Sequence, residues 1–307
     1  MKILSVIIRV GVSAGILVVV FNAVDSAETW TALGSVGSGV LLVATVLFLA
    51  QTPILAWRWR SIVQLLDSNL TFSEAVRFSL IGRLYNQIMP ASIGGDAVRA
   101  WYGARSGLTA TISAHSVLIE RFTGLLSLLA LTSVAATFLW FRVDVSFAWP
   151  GEYVAIGVGV MIMAGAVVAL ASTRLRHWPV ARHVFDLWDN TRIVMRDGRA
   201  FALLSLSAVA SNILAIGVAM VIGGGLGLQL DVWVYAVVVP IAILMTIVPM
   251  SIGGWGVREG TIVFLLHLFG VPTPTALALS LLFGVTLLFA SIAGGGFGYL
   301  LRPRATD

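Results

Sequence analysis

Pro90-Ala91-Ser92-Ile93-Gly94-Gly95-Asp96-Ala97-Val98-Arg99 and Pro249-Met250-Ser251-Ile252-Gly253-Gly254-Trp255-Gly256-Val257-Arg258 are identical at seven of ten positions, at a constant offset of 159 residues. Each copy interrupts an apolar stretch, residues 72–105 and 233–270, leaving a helix-length piece on either side. Proline ends the incoming helix, the Gly-Gly pair supplies backbone freedom for a tight reversal, and a new helix starts near Asp96 or Trp255. The motif therefore reads as a broken helix used twice, and the rest of the chain decides what surrounds the break.

That surrounding is a bilayer. The 307 residues are 59% hydrophobic and only 11% charged, with a mean hydropathy of +0.99, against roughly 25% charged residues in a soluble domain. A water-soluble enzyme, a disordered scaffold and a nucleic-acid module are excluded, and no stretch outside the apolar segments is long enough for a soluble catalytic domain. With no cysteine, disulfides, thiol nucleophiles, iron–sulfur clusters and cysteine-based zinc sites are excluded together. A spanning helix needs about 20 mostly apolar residues. Runs near 3–24, 34–57, 109–141, 153–172, 201–223 and 275–301 qualify. The fold expected is an all-α polytopic membrane protein: six spanning helices plus two re-entrant helical hairpins at 72–105 and 233–270, in one integral membrane domain covering 1–307. Irregular backbone at membrane depth is tolerated where protein or a water-filled cavity surrounds it.

Charge sets the orientation. If each broken stretch returns to its own side, Lys2, Arg58, Arg60, the six arginines from Arg174 to Arg199, Arg302 and Arg304 share one face. The other face keeps Arg142 beside Asp25, Glu28, Asp144, Glu152 and Asp231. The positive-inside rule then puts both termini and loop 173–200 in the cytoplasm of a cell (inner) membrane, and the loops near 28 and 230 outside. The first motif enters from the cytoplasm and the second from outside. The halves, about 1–150 and 151–307, are thus inverted-topology repeats, an arrangement of secondary transporters with a substrate site at the repeat interface.

Ionised side chains inside the bilayer cost about 2.5 to 3.5 kcal/mol each on insertion scales, so those present should face inward in pairs. Arg83, Asp96, Arg99, Glu120, Arg121, Arg258 and Glu259 are such residues. A helix start in the break points N–H groups and positive dipole into the cavity, with Arg99 and Arg258 about one turn along, which suits an anion. The candidate substrate-binding set is these seven with Gly94, Gly95, Gly253 and Gly254. A structural reading stands beside it: Asp96 capping a half-helix, and Glu120 and Glu259 neutralising arginines. Tyr85, Asn86 and Gln87 either line the cavity or satisfy freed backbone. His115 and His267 lack ligand-spaced partners, and no metal or cofactor site is expected. Gly11 with Gly15, and Gly294 with Gly298, have helix-packing spacing. Gly223-Gly224-Gly225 lacks the lysine and strand of a nucleotide loop. Loop 173–200 combines arginines with Phe185, Leu187, Trp188, Ile193 and Val194, which suits an amphipathic helix on anionic headgroups rather than nucleic acid.

Over Pro90 to Arg99, Glu120-Arg121 with Gly124, and Pro249 to Glu259 followed by Gly270-Val271-Pro272, the chain resembles the flippase-like membrane region of lysylphosphatidylglycerol synthase, the multiple peptide resistance factor, as a stand-alone member without the soluble synthase domain. The resemblance covers essentially the whole chain. It implies movement of an aminoacylated phospholipid, a polyprenyl-linked lipid or a related lipid between leaflets, with no catalysis by this region. Three readings stay open: a lipid flippase, a non-catalytic holder of a lipid intermediate for a synthase or glycosyltransferase, and an intramembrane lipid-phosphate enzyme. The first is favoured because of the repeat, and the third is weakened by the absence of a catalytic cluster. The lipid, its direction of travel and the oligomeric state are left open.

Overall fold

The computed structural model describes residues 26–89, 94–141, 179–247, 251 and 253–301. Among them are ten helices and no strand: α1 (Ser26–Ser35), α2 (Ser38–Leu65), α3 (Phe72–Ile88), α4 (Gly94–Arg105), α5 (Ala110–Trp140), α6 (Pro179–Arg196), α7 (Gly198–Gly225), α8 (Val232–Met245), α9 (Val257–Leu268) and α10 (Thr273–Leu300). The long apolar helices α2, α5, α7 and α10 have 28, 31, 28 and 28 residues. At about 1.5 Å per residue each exceeds the ~30 Å hydrocarbon layer. The protein is a multi-pass helical membrane protein. The spans expected near 3–24 and 153–172 lie outside the described residues.

Helix order recurs. Long, short, short, long (α2–α5) is followed by long, short, short, long (α7–α10), with starts offset by 160 residues at α2/α7 and α3/α8 and by 163 at α5/α10. The connecting turns recur at the same offsets. After α2, Asp67 takes φ 52°, and Gly227 takes φ 74° after α7; Ser68 N–H donates to the Val63 carbonyl as Leu228 N–H does to Gly223. Thr71 caps α3 from the position where Asp231 caps α8. Gly107 at φ 108° and Gly270 at φ 75° end the two inner short helices.

Packing follows the same exchange. Helices α2 and α7 pack against each other, α10 packs on α3, and α5 packs reciprocally on α8. Within each set the short helices pair, α3 with α4 and α8 with α9. The last turn of α3 meets the second motif: a Cβ placed on Gly253 would lie 3.0 Å from the Gln87 carbonyl oxygen. The α10–α3 contact is close because its α10 face is bare glycine. A Cβ on Gly294 would come 2.8 Å from Leu80, and one on Gly298 would come 3.2 Å from the Arg77 carbonyl, which matches the packing role their spacing suggests. Gly11 and Gly15 lie outside the described residues.

Two sequence expectations need correction. The run read as 34–57 continues as helix to Leu65, because Ile62 and Val63 extend its buried face. Arg58 is therefore not a loop cation but a buried residue within the helix, 5% exposed. The Gly-Gly pairs also do different jobs. Gly253 (φ 59°), Gly254 (φ 80°) and Gly256 (φ 87°) make a left-handed reversal, whereas Gly94 and Gly95 are absent from the positive-φ positions and open α4. Helix α6 is amphipathic, as expected of loop 173–200: Val194 is buried while Trp188, Ile193 and Met195 are exposed.

Candidate functional site

The first break is lined by charge. Helix α4 begins at Gly94 and carries Asp96 and Arg99 on its first turns. Helix α5 brings Glu120 and Arg121, about 15 Å into the helix from Ala110, and α2 brings Arg58 and Trp59. Arg99 Nη1 donates to Glu120 Oε2 at 2.9 Å and lies 3.5 Å from Asp96 Oδ1. Arg58 Nε donates to Glu120 Oε1 at 2.9 Å, with its Nη2 on the same oxygen. Arg121 Nη1 pairs with Asp96 Oδ2. Each carboxylate thus sits between two guanidinium groups. Such bridges hold paired charge in a low-dielectric interior, where an unpaired charge is expensive. The Arg99 guanidinium also stacks 4.6 Å from the Trp59 ring, a cation–π contact that holds the plane of its fork.

Donors remain. Arg99 Nε and Nη2 and Arg58 Nη1 are buried without a hydrogen-bond partner among the described residues. Arg99 as a residue is 3% exposed, yet Arg121 beside it has 24% of its side chain accessible, so the cluster opens on the Arg121–Asp96 side. Arg83 stands behind it, donating to the Phe48 carbonyl at 2.7 Å and to Gln51 Oε1 at 3.0 Å, while Gln51 Nε2 has no partner among the described residues. Asn86 Oδ1 accepts from Gly95 N–H at 2.7 Å, so it satisfies backbone freed at the helix start. Tyr85 joins its hydroxyl to that of Tyr299, 3.0 Å away across the α3–α10 contact.

The second break is built differently. Arg258 gives Nε and Nη2 to Glu259 Oε1 at 3.0 and 2.5 Å. Glu259 is fully buried, and its Oε2 accepts from Gly256 N–H at 2.6 Å. Arg258 lies over Trp255 at 4.8 Å and near Phe283 at 5.9 Å. The two arginines therefore occupy corresponding places in different company. Aligned by the motif, Asp96 corresponds to Trp255. Aligned by the later offset, Glu120 and Arg121 correspond to Phe283 and Gly284.

Asp96, Arg99, Glu120 and Arg121 thus come together as one group, Arg83 flanks it, and Arg258 with Glu259 forms a separate pair. Two members escaped the sequence reading, Arg58 and Trp59. Their signal was the apolar spacing of Ile62, Val63 and Leu66 beyond them, which keeps Trp57-Arg58-Trp59-Arg60 inside the helix. His115 Nδ1 meets the Asn190 amide at 2.9 Å. It thereby ties α6 to α5, as a satisfied histidine rather than a ligand cluster.

Helical spans enclosing a partly unsatisfied arginine–carboxylate cluster define a polytopic helical membrane protein with buried charge at its centre. The chain belongs to the family described as the lysylphosphatidylglycerol synthase TM region, which it matches over residues 6–295. It is 27% identical to Glycosyltransferase AglD of Haloferax volcanii, over 94% of this chain and 54% of that protein. The chain thus spans about half the length of that relative.

Proposed function

We propose that this protein moves a lipid with an anionic phosphate headgroup between the leaflets of the cytoplasmic membrane, and does no covalent chemistry on it. The observation that carries this is the set of buried, unpartnered donors on Arg99 and Arg58 beside the break. A guanidinium stays charged at any relevant pH and grips phosphate with two parallel hydrogen bonds. Motion is supplied by the two helix sets rocking as inverted halves, about 1–150 and 151–307, with the two broken stretches as re-entrant hairpins at their contact.

Transport of fluorescent phosphatidylglycerol in liposomes of the purified chain tests this. Arg99→Lys keeps charge without the fork and should retain partial flipping. Arg99→Gln should lose most of it and weaken lipid binding by roughly one to two orders of magnitude, at about 1.5–3 kcal/mol per charge-assisted bond. Wild-type flipping by a folded Arg99→Gln protein would move the site elsewhere.

Orientation has its own test. Both termini and loop 173–200 are assigned to the cytoplasm because the arginine excess there survives the removal of Arg58 from the tally. A cysteine introduced at Phe185, in a chain that has none, should react only with reagent that enters the cell. Labelling from outside in sealed cells would invert the topology.

A second reading has one observation in its favour: the related region of AglD occurs within a longer protein named a glycosyltransferase. In that case the chain holds a lipid intermediate for a separate enzyme, and the purified protein binds lipid without moving it.

A further inference from the structure

Arg58, Arg99 and Arg121 contact two carboxylates, Asp96 and Glu120, and Arg83 stands behind them, so this cluster of described residues holds four guanidiniums against two carboxylates, an excess of two positive charges. Both oxygens of each carboxylate are already occupied: Asp96 by Arg99 and Arg121, and Glu120 by Arg58 and Arg99. Arg83 has neutral partners only, Phe48 and Gln51, and lies within electrostatic range of Arg99 and Glu120. The unmatched donors are those of Arg99 and Arg58, with Gln51 Nε2 behind.

The second helix set removes this excess. By the offsets of 160 and 163, Arg58, Arg83, Glu120 and Arg121 become Val218, Ile243, Phe283 and Gly284, and the motif offset turns Asp96 into Trp255. Only the arginine persists, as Arg258, and the adjacent Glu259 neutralises it.

We infer that the arginine cluster of Arg58, Arg99 and Arg121 is a site for a doubly negative phosphate headgroup, a phosphomonoester or a terminal diphosphate, and that the Arg258–Glu259 pair is not a lipid-phosphate site. This rests on the lipid reading above and narrows it. Buried charge is stable when matched, and the match for an excess of two is a ligand of about −2. A phosphomonoester carries about −1.5 to −2 at pH 7. A phosphodiester carries a single charge, and its lysyl ester is net positive, which leaves these guanidiniums uncompensated. The cargo this geometry selects therefore differs from the lipid in the family's description.

The test is binding of phosphatidic acid, phosphatidylglycerol and lysyl-phosphatidylglycerol, with matched acyl chains, to the detergent-purified full chain by native mass spectrometry. Phosphatidic acid should bind ~10-fold tighter than phosphatidylglycerol, one decade for one further charge-assisted contact, and the lysyl ester more weakly than either. Arg99→Gln and, separately, Arg58→Gln should bring phosphatidic acid to the phosphatidylglycerol level. Arg199→Gln, an exposed change at the start of α7, should leave the ranking intact. Equal binding of the lysyl ester, or a preference that survives both cluster variants, overturns the proposal. So does displacement by inorganic phosphate at concentrations equal to the lipid, which would assign the site to free phosphate. Selective binding without flipping in liposomes would defeat the transport reading alone, and flipping without selectivity would defeat this inference alone.

Discussion

Glu120→Gln should destabilise the folded protein by ~3–5 kcal/mol, the range for breaking a buried ion pair from one side. Glu120 is 3% exposed and accepts from both Arg58 and Arg99, so the amide leaves two buried guanidiniums facing each other across a neutral group. No surface contact in the molecule has a comparable effect, because exposed pairs contribute ~0–1 kcal/mol. The measurement is the unfolding midpoint of the purified chain on SDS titration. Arg58→Met in the same background should recover part of the loss, since it removes one of the stranded charges; a double variant no better than the single would show that the two do not couple. A Glu120→Gln protein as stable as wild type would mean that the bridge contributes nothing to holding α2, α4 and α5 together.

The second large effect is expected from Gly95→Ala, a single methyl. A Cβ at Gly95 would land on the backbone carbonyl oxygen of Gly82 and lie 2.7 Å from the Asn86 side chain. Backbone cannot swing aside as a side-chain tip can. Gly82 has no slack either: a Cβ there would be 2.7 Å from Arg99 Cγ and 2.9 Å from the Gly95 carbonyl oxygen. The change must therefore prise α3 from α4 and carry Arg99 with it. Overpacking costs about 1–3 kcal/mol and occasionally more, and the upper end is expected here. Lipid binding should fall together with stability. Gly254→Ala acts by another route, since φ 80° costs an L residue about 1–2 kcal/mol. If both alanines were neutral in the unfolding assay, the close approach at the first break and the left-handed turn at the second would both be wrong.

These two glycine positions show how far the sequence alone carries. The recurrence of Pro-x-Ser-Ile-Gly-Gly was enough to place a break in each half, and helix–break–helix is what surrounds both. It was not enough to say why the glycines are there, because identical letters serve a backbone contact in one copy and a positive φ in the other. Contact across α3 and α4 joins Gly82 and Gly95 across twelve intervening residues, which no local pattern encodes. The ion pairs were partly readable: Arg258 beside Glu259 are chain neighbours, and Asp96 and Arg99 share a helix face at i, i+3. Glu120 was open to either a charge-neutralising or a binding reading until Arg58 was seen to come from α2, 62 residues earlier. Hydropathy ended that helix too soon, because a buried arginine between two tryptophans looks locally like an interfacial anchor.

The uneven company of Arg99 and Arg258 has an energetic consequence for the rocking motion proposed above. Two identical halves related by an in-plane two-fold axis would have inward- and outward-facing states of equal free energy, since one state becomes the other by exchanging the halves. Here the exchange swaps a charged, hydratable joint for one sealed by Trp255, Phe283 and the Arg258–Glu259 pair. On that proposal the degeneracy is lifted, and the empty protein is expected to rest in the state that lets water reach the Arg121–Asp96 opening. A bound dianion neutralises that preference. On the transport reading, a bound dianion would lower the energy of the occluded state that the free protein avoids, so occupancy is expected to favour the crossing.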